Sequence, residues 1–239
     1  MENWQQRTEL LLGADGVASL ADSHVLVVGV GGVGAYAAEA LVRAGVGHIT
    51  IIDGDNVSTT NINRQLPALH STIGQAKVEG VKARLLDINP KLKIEARQEF
   101  VSVDSVAELL SDGKFHYVVD AIDSVAPKVA IIAYCLQNKI RIISSMGAGG
   151  RLDPSQIQFA DIWKTHSDGL AKAVRDRLKK MGIRSKLPVV WSSEAPRRES
   201  VVLTNEIANK RSSYGTVSYL PAIFGLMLAA HVIRQISKQ

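Results

Sequence analysis

The hexapeptide Gly29-Val30-Gly31-Gly32-Val33-Gly34 follows the apolar run His24-Val25-Leu26-Val27-Val28 and opens an alanine-rich stretch. A G-x-G-x-x-G turn in that setting lets the backbone approach a phosphate, which then sits at a helix N-terminus. Asp53 lies 19 residues beyond Gly34, at the end of a second apolar run, where a carboxylate can accept from ribose hydroxyls. Those two features alone point to a nicotinamide-dependent oxidoreductase. The residues that follow point elsewhere. Asp53-Gly54-Asp55-Asn56-Val57-Ser58-Thr59-Thr60-Asn61-Ile62-Asn63-Arg64-Gln65 crowds acids, amides and an arginine directly beyond a strand end. A nicotinamide ring is read mainly by apolar and amide contacts, whereas a triphosphate needs directional cationic donors. Lys77, 12 residues past Gln65, is placed to reach the same phosphates from the head of the next helix. Asp123, in Asp120-Ala121-Ile122-Asp123-Ser124, ends a further strand, where it can hold Mg2+ or face a reacting group.

Such residues need a scaffold that delivers several strand ends to one edge. The pattern supplies it. The strand at His24–Gly29, a helix over Val33–Ala44 stopped by Gly45, and a strand at His48–Asp53 form a parallel βαβ unit. Alternation continues with a helix over Ile73–Asp87, a strand at Leu92–Ala96, a helix over Val103–Leu110 and a strand at Tyr117–Ala121. A helix over Lys128–Gln137 and a strand at Ile140–Ser144 complete a doubly wound, mostly parallel α/β sheet with helices on both faces. Beyond Met146-Gly147-Ala148-Gly149-Gly150 the pattern loosens. A basic helix over Ala171–Lys180, a strand at Val189–Ser192 and a loop or flap over Glu194–Ser213 precede an apolar helix over Pro221–Ile236. The expected organisation is one domain: a nucleotide-binding core over about 20–150, a basic substrate lobe over about 151–215, and a C-terminal packing helix over about 217–237.

Composition narrows the function further. The 239 residues carry a net charge of +5, but residues 164–211 hold 12 Lys and Arg against 5 Asp and Glu. That segment alone is at +7 and the remainder at −2, so a near-neutral engine carries a basic surface suited to a polyanion. Lys172, Arg175, Arg177, Lys179 and Lys180 share one helix, with Arg184, Lys186, Arg197 and Arg198 beyond it, a set fit to meet closely spaced RNA phosphates. A lone cysteine, Cys135, sits mid-helix as a packing thiol and excludes a disulfide framework or a four-cysteine zinc site. The first residues lack the apolar core of a signal peptide, and the C-terminal helix reads as a buried element rather than a membrane anchor, so a cytoplasmic protein is expected. His166, Asp168 and Glu194 could be mistaken for a metal or acid–base set, but their spacing compels none.

The order D-x-D-x-V-x-x-x-N-x-N-R-Q after G-x-G-G-x-G, followed by G-x-x-K and A-x-D-S, resembles the E1-like adenylating enzymes of the ThiF/MoeB/HesA superfamily. Residues 7–13, Met146–Gly149, Leu152-Asp153-Pro154, the basic stretch 174–180 and Trp191-Ser192-Ser193-Glu194 make the chain similar to one subfamily, the bacterial tRNA threonylcarbamoyladenosine dehydratases. One departure is Asp168-Gly169-Leu170, where that subfamily often has Asp-Pro-Leu.

The resemblance implies ATP and Mg2+ as cofactors, with Gly29, Gly31, Gly32 and Gly34 bordering the phosphates and Asp53 on the ribose. Asp55, Asn61, Arg64, Gln65 and Lys77 would surround the triphosphate, and Asp123 would sit by the metal and the α-phosphate. Arg7 matches the family's N-terminal arginine, which reaches into a partner subunit, so a homodimer is implied, with Arg7, Arg64, Lys77 and Asp123 in the catalytic set. The implied reaction is adenylation of the threonyl carboxylate of N6-threonylcarbamoyladenosine in tRNA, then ring closure with release of AMP. The alternative within the superfamily is activation of the C-terminal glycine of a small carrier protein; outside it stands a non-catalytic RNA-binding module. A monovalent cation near the glycine turns and the identity of sulfur- or electron-transfer partners stay open.

Overall fold

The computed structural model describes residues 4–112, 114–203 and 212–238. After helix α1 (Gln6–Ala21) the chain alternates through β1 (His24–Val28), α2 (Gly34–Ala44), β2 (His48–Ile52), α3 (Lys77–Ile88), β3 (Lys93–Arg97), α4 (Val106–Asp112) and β4 (Tyr117–Asp120). It continues through α5 (Val125–Gln137), β5 (Ile142–Ser145), β6 (Ile157–Asp161), α6 (Gly169–Lys180) and β7 (Pro188–Ser192). A hairpin of β8 (Val201–Leu203) and β9 (Ser212–Tyr214) leads to α7 (Tyr219–Ile236).

The main sheet has seven strands in the order β3-β2-β1-β4-β5-β7-β6. All neighbours are parallel except β6, which pairs antiparallel with β7 at one edge. The expected doubly wound α/β sheet is therefore present. From β1 the chain winds outward to β2 and β3, then returns to β4 on the other side. The switch between β1 and β4 opens a crevice at the strands' C-terminal ends, where ligands of such sheets bind.

Side-chain alternation builds the two layers. Val25, Val27, Ile49, Ile51 and Val119 face a core closed by α2, α3 and α7. Leu26, Val28, Ile52 and Val118 face a second core closed by α4, α5 and α6. Each fully buried aliphatic chain contributes roughly 1.5–3 kcal/mol. The last helix takes its expected place in the first core. Leu220, Phe224, Leu228, Ala229 and Val232 are buried, and a Cβ on Gly225 would lie only 2.2 Å from the Val33 carbonyl at the head of α2.

Several expectations shift. Helix α1 carries no clear amphipathic signal in the sequence and was not expected; it is bent at Gly13, where φ is 75°. The helix expected from Ile73 begins at Lys77, because His70–Thr72 forms a separate 3-10 turn. Strand β6 was not expected either, since as an edge strand it shows only a partly buried pattern. Residues 151–215 do not stand apart as a lobe, because β6 and β7 extend the same sheet beside β5. The loop expected over 194–213 contains β8 and the start of β9, while residues 204–211 lie outside the described residues.

At the opposite end of the sheet from the crevice, His24 and His48 stack with centroids 3.4 Å apart, and Nε2 of His24 is hydrogen-bonded to Thr50 Oγ1 at 2.8 Å. Burial, and next the charge of His48, lowers the His24 pKa to about 4; Glu95 opposes and His116 reinforces the shift. The unfolded chain then binds more protons than the folded one between the ordinary histidine value and about 4. The stability from neutral His24 is complete above that window and is lost as pH falls through it. In urea titrations across the window, His24→Gln is expected to flatten the fall in midpoint with falling pH; an unchanged slope would show that His24 does not contribute.

Candidate active site

The crevice is organised by the turn that joins β1 to α2. The Gly29 N–H donates to the Ile52 carbonyl at 2.7 Å, aligning the turn with the end of β2. A Cβ on Gly34 would lie 1.7 Å from the Gly29 carbonyl oxygen, so only glycine lets the helix begin so close to the turn. Asp53, directly beyond β2, accepts from the Val30 N–H at 2.8 Å through Oδ2 and from the Asp55 N–H at 2.9 Å through Oδ1. Burial raises its pKa, while the charge of Lys77 and the two N–H bonds pull the other way. Each oxygen keeps a lone pair for a further donor such as a sugar hydroxyl.

The polar run after Asp53 folds back over the turn. A 3-10 turn at Thr59–Asn61 is braced by Asn61, whose Oδ1 accepts from the Ser58 N–H at 3.0 Å. The Asn61 carbonyl accepts from the N–H groups of Arg64 (3.1 Å) and Gln65 (2.9 Å), setting both side chains against the glycines. Arg64 Nη1 donates to Thr60 O and Asn63 Oδ1, each at 2.8 Å, and its Cγ would be 3.4 Å from a Cβ on Gly32. Burial lowers the Arg64 pKa from its ordinary value, and Asp123 acts against that shift, so the two charges sense each other across the crevice. Gln65 is buried beside Gly31, and its Oε1 has no hydrogen-bond partner among the described residues.

Lys77 is the first residue of α3, its stem buried and its ammonium 2.7 Å from Asp55 Oδ2. Asp55 thus stands as the counter-ion of Lys77, its carboxylate half-exposed. Asp123 is exposed just beyond β4, and its neighbour Ile122 packs on the turn, where a Cβ on Gly29 would meet Ile122 Cγ2 at 2.9 Å. Arg64, Gln65, Lys77 and Asp123 are thereby gathered around Gly29–Gly34. Phe100 went unread in the sequence. It lies over Gly54, where a Cβ would be 2.6 Å from its ring, yet 75% of its surface is exposed. Its signal was a single aromatic in a polar stretch just beyond a strand end.

Other expected residues lie away from this group. Arg7 is exposed in the first turn of α1, on the far side of the Gly13 bend. On α6, Lys172, Arg177, Lys179 and Lys180 are exposed, as are Arg184, Lys186 and Arg197 beyond it. Lys172 is paired with Asp176 at 2.8 Å, and the Arg184 guanidinium lies 5.9 Å from the centre of the Trp163 ring. Arg175 departs from that exposed face: it is half-buried and donates to Thr165 Oγ1. The side chain of Arg198 lies outside the described residues.

Asp168 and Glu194 are structural anchors. Asp168 caps α6 through the Ala171 N–H at 2.8 Å, accepts from the Gly147 N–H at 3.0 Å, and pairs with Arg151 at 3.2 Å. Glu194 Oε2 accepts from the N–H groups of Leu152 (3.0 Å) and Asp153 (2.8 Å). Arg151, also unread in the sequence, donates to the carbonyls of Gly147, Glu194 and Ser167 and so closes the second glycine turn. Gly169 follows the cap as the first residue of α6, the one helical position where proline would serve equally, so the departure at Asp168-Gly169-Leu170 is structurally neutral. Cys135 is buried, and burial pushes its thiol up to about 12, which suits packing and not chemistry. No group of three or more His, Cys, Asp and Glu side chains is poised for a metal among the described residues.

A doubly wound sheet with cationic side chains and a carboxylate around a glycine turn defines a class of nucleotide-binding proteins, and the chain belongs to the ThiF family, which it matches over residues 5–239. Its similarity to particular members covers nearly the whole length. It is 41% identical to tRNA threonylcarbamoyladenosine dehydratase of Bacillus subtilis over 239 residues, covering 97% of this chain and 94% of the relative. It is 42% identical to the enzyme of that name from Escherichia coli over 252 residues, again covering 97% and 94%. The crystal structure of the E. coli enzyme in complex with ATP superimposes with a TM-score of 0.90 at 40% identity, covering 100% of this chain and 96% of that one.

Two substitutions check the architecture. Gly34→Ala is expected to cost about 3 kcal/mol of unfolding free energy through the clash with Gly29. Asp168→Ala, which strands the buried Arg151 charge, is expected to cost about 3 kcal/mol or more. Both are read by urea denaturation, and a loss below about 1 kcal/mol in either refutes the role given to that residue.

Proposed function

We propose that the chain is an ATP-dependent dehydratase that converts N6-threonylcarbamoyladenosine in tRNA to its cyclic form. The observation that carries this reading is the gathering of Arg64, Gln65, Lys77 and Asp123 around the Gly29–Gly34 turn, in a chain similar end to end to enzymes of that name.

In this reading the threonyl carboxylate attacks the α-phosphorus of ATP, an O–P bond forms and pyrophosphate leaves. The activated carbonyl is then attacked from within the same side chain, the ring closes, and the former carboxylate oxygen departs with AMP. The net change on the base is the loss of one water. The second step needs no enzyme nucleophile, because the attacking group is already held near the carbonyl.

The residues divide the work by charge. Asp53 orients the ribose through its free lone pairs, and the exposed Phe100 ring offers a flat face to a base. Asn61, Gln65 and the turn N–H groups meet phosphate oxygens. Arg64 and Lys77 offset the charge that grows on the α-phosphate and the leaving pyrophosphate. Lys77 must turn its ammonium from the Asp55 carboxylate toward the phosphates, while its N–H stays on the Asp55 carbonyl at 3.1 Å. Asp123 would hold Mg2+, which neutralises phosphate charge when bound; one carboxylate with phosphate oxygens suffices for that ion. At the second glycine turn a monovalent cation would compete with Arg151 for the Gly147 carbonyl.

Two surfaces extend the site. Leu10 and Leu11 on α1 are 82% and 81% exposed, an apolar face suited to a second copy, into whose crevice the family resemblance would place Arg7. Helix α6 starts at the crevice side, where Asp168 meets Gly147, and rises about 1.5 Å per residue. Its basic last turn therefore lies roughly 15 Å along the helix axis from that end. No sulfur- or electron-transfer partner enters this reading.

Purified protein given ATP, Mg2+ and tRNA bearing the modified base is expected to release AMP and to lower the mass of that base by one water. AMP release that instead requires a small protein ending in Gly-Gly overturns the reading. Lys179→Glu/Lys180→Glu is expected to weaken tRNA binding about tenfold or more and to lower the slope of log affinity against log salt, leaving ATP affinity unchanged. Mixing the impaired Arg7→Ala and Asp123→Ala proteins is expected to give more activity than either alone, and no gain counts against the shared site.

A further inference from the structure

Lys128 has no exposed surface, lies near the start of α5, and takes no part in the chemistry above. Its ammonium uses all three donors: to Asp120 Oδ2 at 2.6 Å, to Ser144 Oγ at 3.1 Å and to the Ser145 carbonyl at 2.9 Å. Asp120, the last residue of β4, is equally buried. Its Oδ2 also accepts from Ser144 Oγ at 2.5 Å, and its Oδ1 accepts from the Ile122 N–H at 3.3 Å. One buried charge pair thus joins the ends of β4 and β5 to the first turns of α5, and its outer contact is the backbone of the residue next to Asp123.

A buried ion pair stabilises a fold no better than apolar packing of the same volume, and it is disruptive when one partner is lost. Its geometric effect here is specific. Residues Ala121 to Asp123 are held from both sides, by the Ile122 side chain on Gly29 and by the Ile122 N–H on Asp120. We propose that the Asp120–Lys128 pair, together with Ser144, is a positioning device that fixes Asp123 at the reacting phosphate. The inference rests on the placement of Asp123 in the proposed reaction. The three residues act through the loop and touch no substrate.

Two variants test it. Asp120→Asn/Lys128→Met removes both charges at similar volume, the change a fold tolerates best. Ser144→Ala removes one hydroxyl and decides the matter if the first variant does not fold. AMP formation at saturating ATP is expected to fall about 100-fold in the double variant and about tenfold in Ser144→Ala, since a small misplacement of a reacting group has effects of that size. ATP affinity by equilibrium dialysis is expected to stay within about threefold, which separates positioning from binding. In an Asp123→Ala background the same changes should lower the residual rate by less than about twofold, because groups that act as one unit are not additive. Unaltered rates, or an equal loss with and without Asp123, overturn the positioning role. An Asp123→Ala protein that forms AMP at the full rate overturns the placement of Asp123 instead.

Discussion

The close approach of α2 to the Gly29 carbonyl, which leaves no room for a methyl group on Gly34, sets the shape of the whole crevice. With the helix start pressed against the turn, the N–H groups that open α2 border the space where an anion can sit. The Asp53–Val30 bond then locks that turn to the end of β2, so two strands and one helix share a single fixed corner. Arg64 rests on Gly32 and Ile122 on Gly29, so the cation and the loop bearing the carboxylate are both positioned by contact with bare backbone. A side chain at any of these points would move the site before it changed the fold.

Charges around this corner fall into two groups. Arg64, Lys77 and Asp123 border the crevice, where a ligand can rearrange their partners. Behind them, Asp120–Lys128 and Arg151–Asp168 are almost fully enclosed and hold loops in place. Enclosed pairs suit that task because their geometry is costly to deform once water is excluded. The site is thus a layer of charge open to a ligand laid over an enclosed one.

Much of this was legible in the sequence, and the limits have physical causes. Doubly buried strands read as unbroken apolar runs, which made β1, β2, β4 and β5 plain, and the glycine turn and the run to Gln65 named residues that border the crevice. Strand β6 was missed because an edge strand buries little of itself. Helix α1 was missed because Leu10 and Leu11 face outward and blur its periodicity. The separation at about residue 150 was inferred from charge, but charge describes the surface, and β7 inserts beside β5 beneath it. Lys128 and Arg151 were invisible for a related reason. Nothing in a single sequence marks a lysine or arginine as enclosed until its partners, many residues away, are brought together.

The contact between Gly32 and Pro221 links the first βαβ unit to α7. A Cβ on Gly32 would meet Pro221 at 3.2 Å, and Asn63 donates to the Thr216 carbonyl at 3.1 Å, so one wall of the nucleotide corner comes from residues made well after β1 to β5. Domains tend to fold from the N-terminus as they leave the ribosome. A nascent chain can therefore assemble β1 through β5 with its corner still open on the side that α7 will close. The corner closes only once α7 has been made and has docked.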